Sequence, residues 1–135
     1  MKTTNLKTAA ITALFGIGLL AGCTNSTTNQ KTSDMKTLNL TQEWDKTFPQ
    51  SDKVNHSKVT FTNRYGITLA ADMYVPKNAT GKLPAIAVCG PFGAVKEQAA
   101  GLYAQTMAER GFLTVAFDPS YTGESGGEPR YVVSP

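Results

Sequence analysis

The chain predicts an α/β fold with a mixed, mainly parallel sheet. Residues 84–118 read as a strand, a Gly/Pro turn, an amphipathic helix and a second strand that ends at Asp118. A strand–helix–strand crossover of that length brings its strands side by side in parallel, with a right-handed connection. Residues 58–75 alternate apolar and polar around Arg64-Tyr65-Gly66 and add an antiparallel hairpin. A length of 135 residues with 41% hydrophobic content allows one modest domain.

Residues 1–23 read as a targeting segment. Lys2 and Lys7 give a positive start, and Ala9–Leu20 is an apolar run. That run is shorter than the roughly 20 residues a membrane-spanning helix needs, and suits the apolar stretch of a secretory signal. Its end, Leu20-Ala21-Gly22-Cys23, resembles a bacterial lipobox. The resemblance implies export, lipid attachment at Cys23 and a membrane as partner. Thr24 rather than Asp after the Cys favours the outer membrane in a Gram-negative host. Residues 24–41 are mostly polar, rich in Ser, Thr and Asn, and read as a flexible tether. The domain is expected over residues 42–135.

Trp44 and Phe48 are four residues apart, so a short helix ending at Pro49 would place them on one face. His56, the sole histidine, lies in the polar context Val54-Asn55-His56-Ser57 and reads as a surface residue. The first strand is expected over residues 58–63. The second, over 67–75, would place Ile67, Leu69, Ala71, Met73 and Val75 on its buried face. Residues 76–82 read as a loop. Ala85–Cys89 is continuously apolar, which suits a central strand buried on both faces, with Cys89 as a small buried hydrophobe. The helix is expected over Ala94–Arg110, with Val95, Leu102, Tyr103, Met107 and neighbouring Ala residues inward and Lys96, Glu97, Gln98, Gln105 and Glu109 outward. Gly111 stands at its C-terminal cap position, and Phe112–Phe117 is the last strand. One helix cannot cover both faces of such a sheet, so exposed apolar surface is expected.

Composition excludes some functions. Setting aside Lys2 and Lys7 leaves 11 basic against 10 acidic residues, which gives no electrostatic case for nucleic acid. No zinc-ligand spacing occurs, and no metal or cofactor is expected. A nucleotide site would use Asp118 at the end of its strand. The turn Gly90-Pro91-Phe92-Gly93 is not G-x-G-x-x-G, however, and Pro91 removes an N–H from it.

The hairpin N-R-Y-G-I-T-L-A-A-D-M-Y-V-P, the turn G-P-F-G-A-V-K-E-Q and the stretch F-D-P-S-Y-T-G-E-S-G-G together resemble the N-terminal part of an α/β-hydrolase. They are most similar to the dienelactone-hydrolase-like branch, over roughly residues 42–135. The resemblance implies hydrolysis of an ester, lactone or related acyl bond in the full-length family. It also implies that the Phe92 backbone N–H stabilises the reaction's oxyanion, a contribution on the order of 3–4 kcal/mol in a transition state. Gly90 stands where that family usually has a histidine.

Gly123-Glu124-Ser125-Gly126-Gly127 matches G-x-S-x-G letter for letter. A nucleophile elbow needs a strand directly before the serine and a helix directly after it. Pro119–Thr122 intervene on one side, and Glu128-Pro129-Arg130 follows on the other. Ser125 is therefore read as a structural loop residue. The nucleophile, acid and histidine implied by the resemblance have no counterparts in the chain, so no triad-based activity is expected of it. The rival readings are a non-catalytic surface lipoprotein that binds a ligand or partner, and a nucleotide-binding module.

Overall fold

The computed structural model describes residues 37–132. The expected signal segment and Cys23 lie outside the described residues. Four strands and one helix follow in the order β1 (Val54–Thr62), β2 (Thr68–Pro76), β3 (Ala85–Cys89), α1 (Ala99–Ala108) and β4 (Leu113–Phe117). They form one sheet of spatial order β1-β2-β4-β3. β1 and β2 make the antiparallel hairpin, with Val59 opposite Ala71. β2 continues antiparallel onto β4, with Asp72 opposite Ala116. β3 and β4 run parallel, with Cys89 opposite Phe117. Among the described residues no helix is long and apolar enough to cross a membrane.

The helix differs from expectation in its start and its buried face. It begins at Ala99 rather than Ala94. The turns before it are shorter than an α-turn: Ala94 N–H donates to Pro91 O at 3.0 Å and Gln98 N–H to Val95 O at 3.1 Å. Lys96 N–H is diverted to the Asp118 carboxylate at 2.8 Å. Ala100, Ala104 and Ala108 face the sheet at i, i+4 and i+8, while Leu102 and Tyr103 are about half exposed. Gln105, expected outward, is buried because its amide bonds the chain before β1: Oε1 accepts from Ser51 N–H at 3.1 Å and Nε2 donates to Pro49 O at 3.0 Å. Methyl-sized side chains let the helix approach closely, and Gly101 sits against the Phe48 ring. Gly111, at φ +99°, closes the helix as expected, with its N–H bonded to Ala108 O at 3.0 Å.

The core lies between α1 and the sheet, where Val54, Tyr74 and Ala116 meet the alanine stripe, with Trp44 and Val88 at its margin. β2 is buried on both sides. Ala70, Asp72 and Tyr74 are fully buried, although the alternating pattern assigned only the other face to the interior. The reason is β2's place inside the sheet, with α1 packed over that second face.

β3 reverses the expectation of a central strand. Among the described residues it has β4 on one side only, and Ala85, Ala87 and Cys89 are exposed. Cys89 is thus a solvent-facing thiol rather than a buried one. Trp44 and Phe48 do meet, edge to face at 5.7 Å, but without a helix. The Trp44 indole N–H donates to Phe48 O at 2.8 Å and fixes the turn instead.

Candidate active-site cleft

Because Cys89 and Phe117 are level in the parallel register, the loops after β3 and β4 start side by side. Ligands of open α/β sheets bind at that end of the strands. Here the two loops and the tip of the β1–β2 hairpin enclose a cleft of about 360 Å³. Phe92 lines it and is 83% exposed. Gly93, at φ +81°, turns the chain directly after Phe92, a conformation that suits glycine. The Phe92 N–H makes no hydrogen bond among the described residues.

Asn63 organises the hairpin tip. Its Oδ1 accepts from Tyr65 N–H at 2.9 Å and Ile67 N–H at 3.1 Å, and its Nδ2 donates to Ser120 Oγ at 3.0 Å. One side chain therefore shapes the turn and ties it to the loop after β4. An asparagine opening a turn ahead of Tyr-Gly is a recognisable signal for this capping role. Asn63 lies just before the turn expected at Arg64-Tyr65-Gly66.

The loop after β4 is held from within. Ser125 is buried, and its Oγ accepts from Ala70 N–H at 2.8 Å and donates to Asp118 O at 2.8 Å. Its only proton and one of its lone pairs are thus engaged in structure. Gly126 N–H extends the tie to β2 by donating to Thr68 O at 2.8 Å. Asp118, also fully buried, accepts from Lys96 N–H and, at 3.0 Å, from Glu124 N–H. The Lys96 ammonium lies 2.9 Å from Asp118 Oδ2. Asp118 therefore joins the start of one cleft loop to the chain that follows the other.

Lys96, expected on the solvent face, is buried and paired with Asp118, Glu97 and Glu124. Lys58 continues the cluster to Glu124 at 2.7 Å and Asp45 at 3.0 Å. Desolvation works to raise the Glu124 carboxyl. Hydrogen bonds from Lys58 and Lys96 outweigh it and bring the pKa down to about 2. Asp45 is brought to about 2 in the same way, burial opposing and Lys46 and Lys58 prevailing. Burial works to lower Lys58 and Lys96, but their carboxylate partners raise both above the ordinary lysine value. Asp45, Glu97 and Glu124 are close enough together to surround a cation. The Lys58 and Lys96 ammonium groups already supply the positive charge there.

His56 is not the surface residue expected. It lies in β1 with Nε2 2.8 Å from the buried Asp72 Oδ1, between the rings of Trp44 and Tyr74. The Lys46 ammonium is 3.1 Å from the other Asp72 oxygen. The strand register separates this group from the cleft. His56 pairs with Tyr74, and Tyr74 with Thr114, three residues or about 10 Å before Phe117. The structure therefore brings Phe92, Asn63 and Ser120 together at the cleft. It places Ser125 beneath the loop and His56 toward the other end of the sheet.

Comparison with known proteins agrees with this geometry. The sequence profile of the X-Pro dipeptidyl-peptidase (S15) family matches residues 65–134. The chain is 69% identical over 121 residues to the uncharacterized protein PA2218 of Pseudomonas aeruginosa, covering 86% of this chain and 33% of that one. It is 49% identical over 84 residues to the uncharacterized protein YcjY of Escherichia coli, covering 59% and 28%. A crystal structure of PA2218 superposes with a TM-score of 0.71 at 77% identity, over 73% of this chain and 31% of the other. The chain thus spans about a third of the length of the curated relatives it matches. With the profile matched over half its residues and the mixed sheet in place, the chain belongs to the X-Pro dipeptidyl-peptidase (S15) family and carries an N-terminal part of an α/β-hydrolase fold.

Proposed function

We propose that this chain is the oxyanion-binding portion of an exported, lipid-anchored acyl hydrolase, with the dienelactone-hydrolase-like branch as its nearest chemistry. The observation that carries the reading is the Phe92 N–H, without a hydrogen bond among the described residues, on a cleft at the C-terminal ends of two parallel strands. A donor already fixed in the protein stabilises a developing oxyanion without reorganising at the moment of reaction. The scissile bond would belong to an ester, a lactone or a peptide-like acyl group. The chain on its own performs no triad chemistry, because Ser125 is committed to buried hydrogen bonds and His56 is held by Asp72.

Joining this chain to the remaining two-thirds of PA2218, in place of that protein's own matching part, tests the reading. The chimera is expected to hydrolyse activated esters, and Phe92→Pro, which deletes the N–H, to lower kcat by about 100- to 1000-fold. Hydrolysis indifferent to Phe92→Pro would remove the donor role. The unfused chain is expected to leave p-nitrophenyl acetate at its buffer rate. Turnover abolished by Ser125→Ala would overturn the claim of inactivity and make Ser125 a nucleophile.

For the anchor, the expected outcome is incorporation of an alkyne-labelled fatty acid in the native host, lost in Cys23→Ser. Labelling that survives Cys23→Ser would reject lipid attachment at that residue.

A further inference from the structure

The chemistry of the cleft walls says more than the position of one N–H. Every described residue lining the cleft is uncharged. Leu69 and Phe117 line it, with Phe117 braced edge-on by Phe61 at 6.1 Å. Tyr65, Phe92 and Val132 stand at its rim, 64%, 83% and 37% exposed. Small-molecule sites are concave and lined mainly by apolar and aromatic side chains with a few placed polar groups. Ser120 also lines the cleft, and its Oγ already accepts from Asn63 Nδ2 at 3.0 Å. Its own O–H is left to donate.

The charges around the cleft disfavour a cation. Asp118 is buried and neutralised by Lys96, and Glu124 by Lys58 and Lys96. Arg64 places its guanidinium 5.7 Å from the Tyr65 ring centre, and Arg130 donates to Gly123 O beside the lining residue Thr122. A charged ammonium placed against Tyr65 would meet the Arg64 guanidinium with no carboxylate among the lining residues to hold it.

We infer that the cleft receives the acyl portion of a neutral aryl-bearing carbonyl compound, such as an arylacetyl ester or amide, in preference to a group carrying an α-ammonium. The ring lies between Tyr65 and Phe92, and the Ser120 hydroxyl donates to a polar substituent beside it. Placement of the carbonyl on the Phe92 N–H rests on the oxyanion reading above. Placement of the ring does not.

The test is a 15N NMR titration of the full chain at pH 6 with phenylacetamide and, in parallel, with phenylalaninamide, whose amine is then protonated. Phenylacetamide is expected to bind on the order of millimolar, as suits a ligand of so few atoms, and to shift the amides of Tyr65, Phe92 and Ser120. The ammonium compound is expected to bind at least about fivefold more weakly, since a charge is set in an apolar site without a partner. Tyr65→Ala and Phe92→Ala both change exposed side chains and keep the backbone N–H. Each is expected to weaken phenylacetamide by about threefold or more, a fraction of the aromatic contact.

Shifts at Tyr65 and Ser120 with the Phe92 amide unmoved would uphold the ligand class and sink the oxyanion reading. The inference is overturned by equal or tighter binding of the ammonium compound, by saturation without shifts at the cleft, or by unchanged binding in both variants.

Discussion

The loops after β3 and β4 leave neighbouring strands at the same level, yet they spend their polar groups in opposite ways. Gly90–Ala94 contains no titratable side chain and carries Phe92, which is exposed and has its N–H unbonded among the described residues. Asp118–Gly126 contains two buried side chains, Asp118 and Ser125, each making several internal hydrogen bonds. The second loop carries the letters of a nucleophile motif, and the first carries little that a motif would notice. A hydroxyl that both donates and accepts within the fold has little left for chemistry, whereas the Phe92 N–H has no hydrogen bond among the described residues.

If the second loop is structural, removing Asp118 should have the largest effect. Asp118→Ala leaves the buried Lys96 ammonium short of its deepest partner and is expected to cost about 3–5 kcal/mol in urea unfolding. A cost under about 1 kcal/mol would show that the pair is dispensable.

The glycines of the two loops sharpen the contrast. Gly123 and Gly93 both have positive φ, but a Cβ at Gly123 would collide with the Asp118 carboxylate, whereas one at Gly93 meets open space. Gly93→Ala should cost about 1–2 kcal/mol for backbone strain alone, and Gly123→Ala about 1–3 kcal/mol more for the clash. Equal costs would mean that the Asp118 carboxylate moves aside freely.

Ser125→Ala leaves the buried Ala70 N–H without its acceptor, for an expected loss of about 1–3 kcal/mol with the cleft intact. The same folded yield and an unchanged melting temperature would deny the serine its structural role.

Acid should act through the second loop and its ion partners rather than the first. Glu124 and Asp45 have folded values of about 2, below their ordinary values of 4.5 and 3.8. Their contribution is therefore present above those ordinary values and lost as pH falls toward about 2. Lys58 and Lys96, raised in the fold, contribute below the ordinary value of 10.5 and lose that contribution only at still higher pH. Urea midpoints measured across pH should decline on the acid side, and Lys58→Met should flatten that decline. A midpoint independent of acid would contradict the ion-pair assignment. Phe92→Ala should have the smallest effect, within about 0.5 kcal/mol of the parent, as for an exposed side chain away from buried contacts.

The strands were legible because a two-residue period appears directly in residues such as Val59, Phe61, Leu69 and Ala71. Gly111 marked the helix end for an equally local reason. The edge position that β3 takes among the described residues was not legible. Continuous apolarity at Ala85–Cys89 reports residue type, while burial depends on which strands and helices lie alongside. The apolar face of α1 was legible in part: the alanines placed there are buried, whereas Leu102 and Tyr103, grouped with them by the same periodicity, are about half exposed. The ion cluster was least visible. Asp45, Lys58, Lys96 and Glu124 each look like ordinary surface charges, and only the fold brings them within reach of one another. Phe92 was singled out through family resemblance, since a backbone donor leaves no mark in the identity of its side chain.

The ion cluster also sets an order of events during synthesis. Lys58 reaches Glu124 across 66 positions, Lys96 reaches it across 28, and the Thr41 N–H bonds the same carboxylate across 83. A chain that emerges from the ribosome N-terminus first exposes both lysines well before Glu124 appears. Until then Lys58 and Lys96 have no Glu124 to pair with, and contacts so distant in sequence form slowly. The Glu124 pairs therefore close only after nearly all of the described residues have been made.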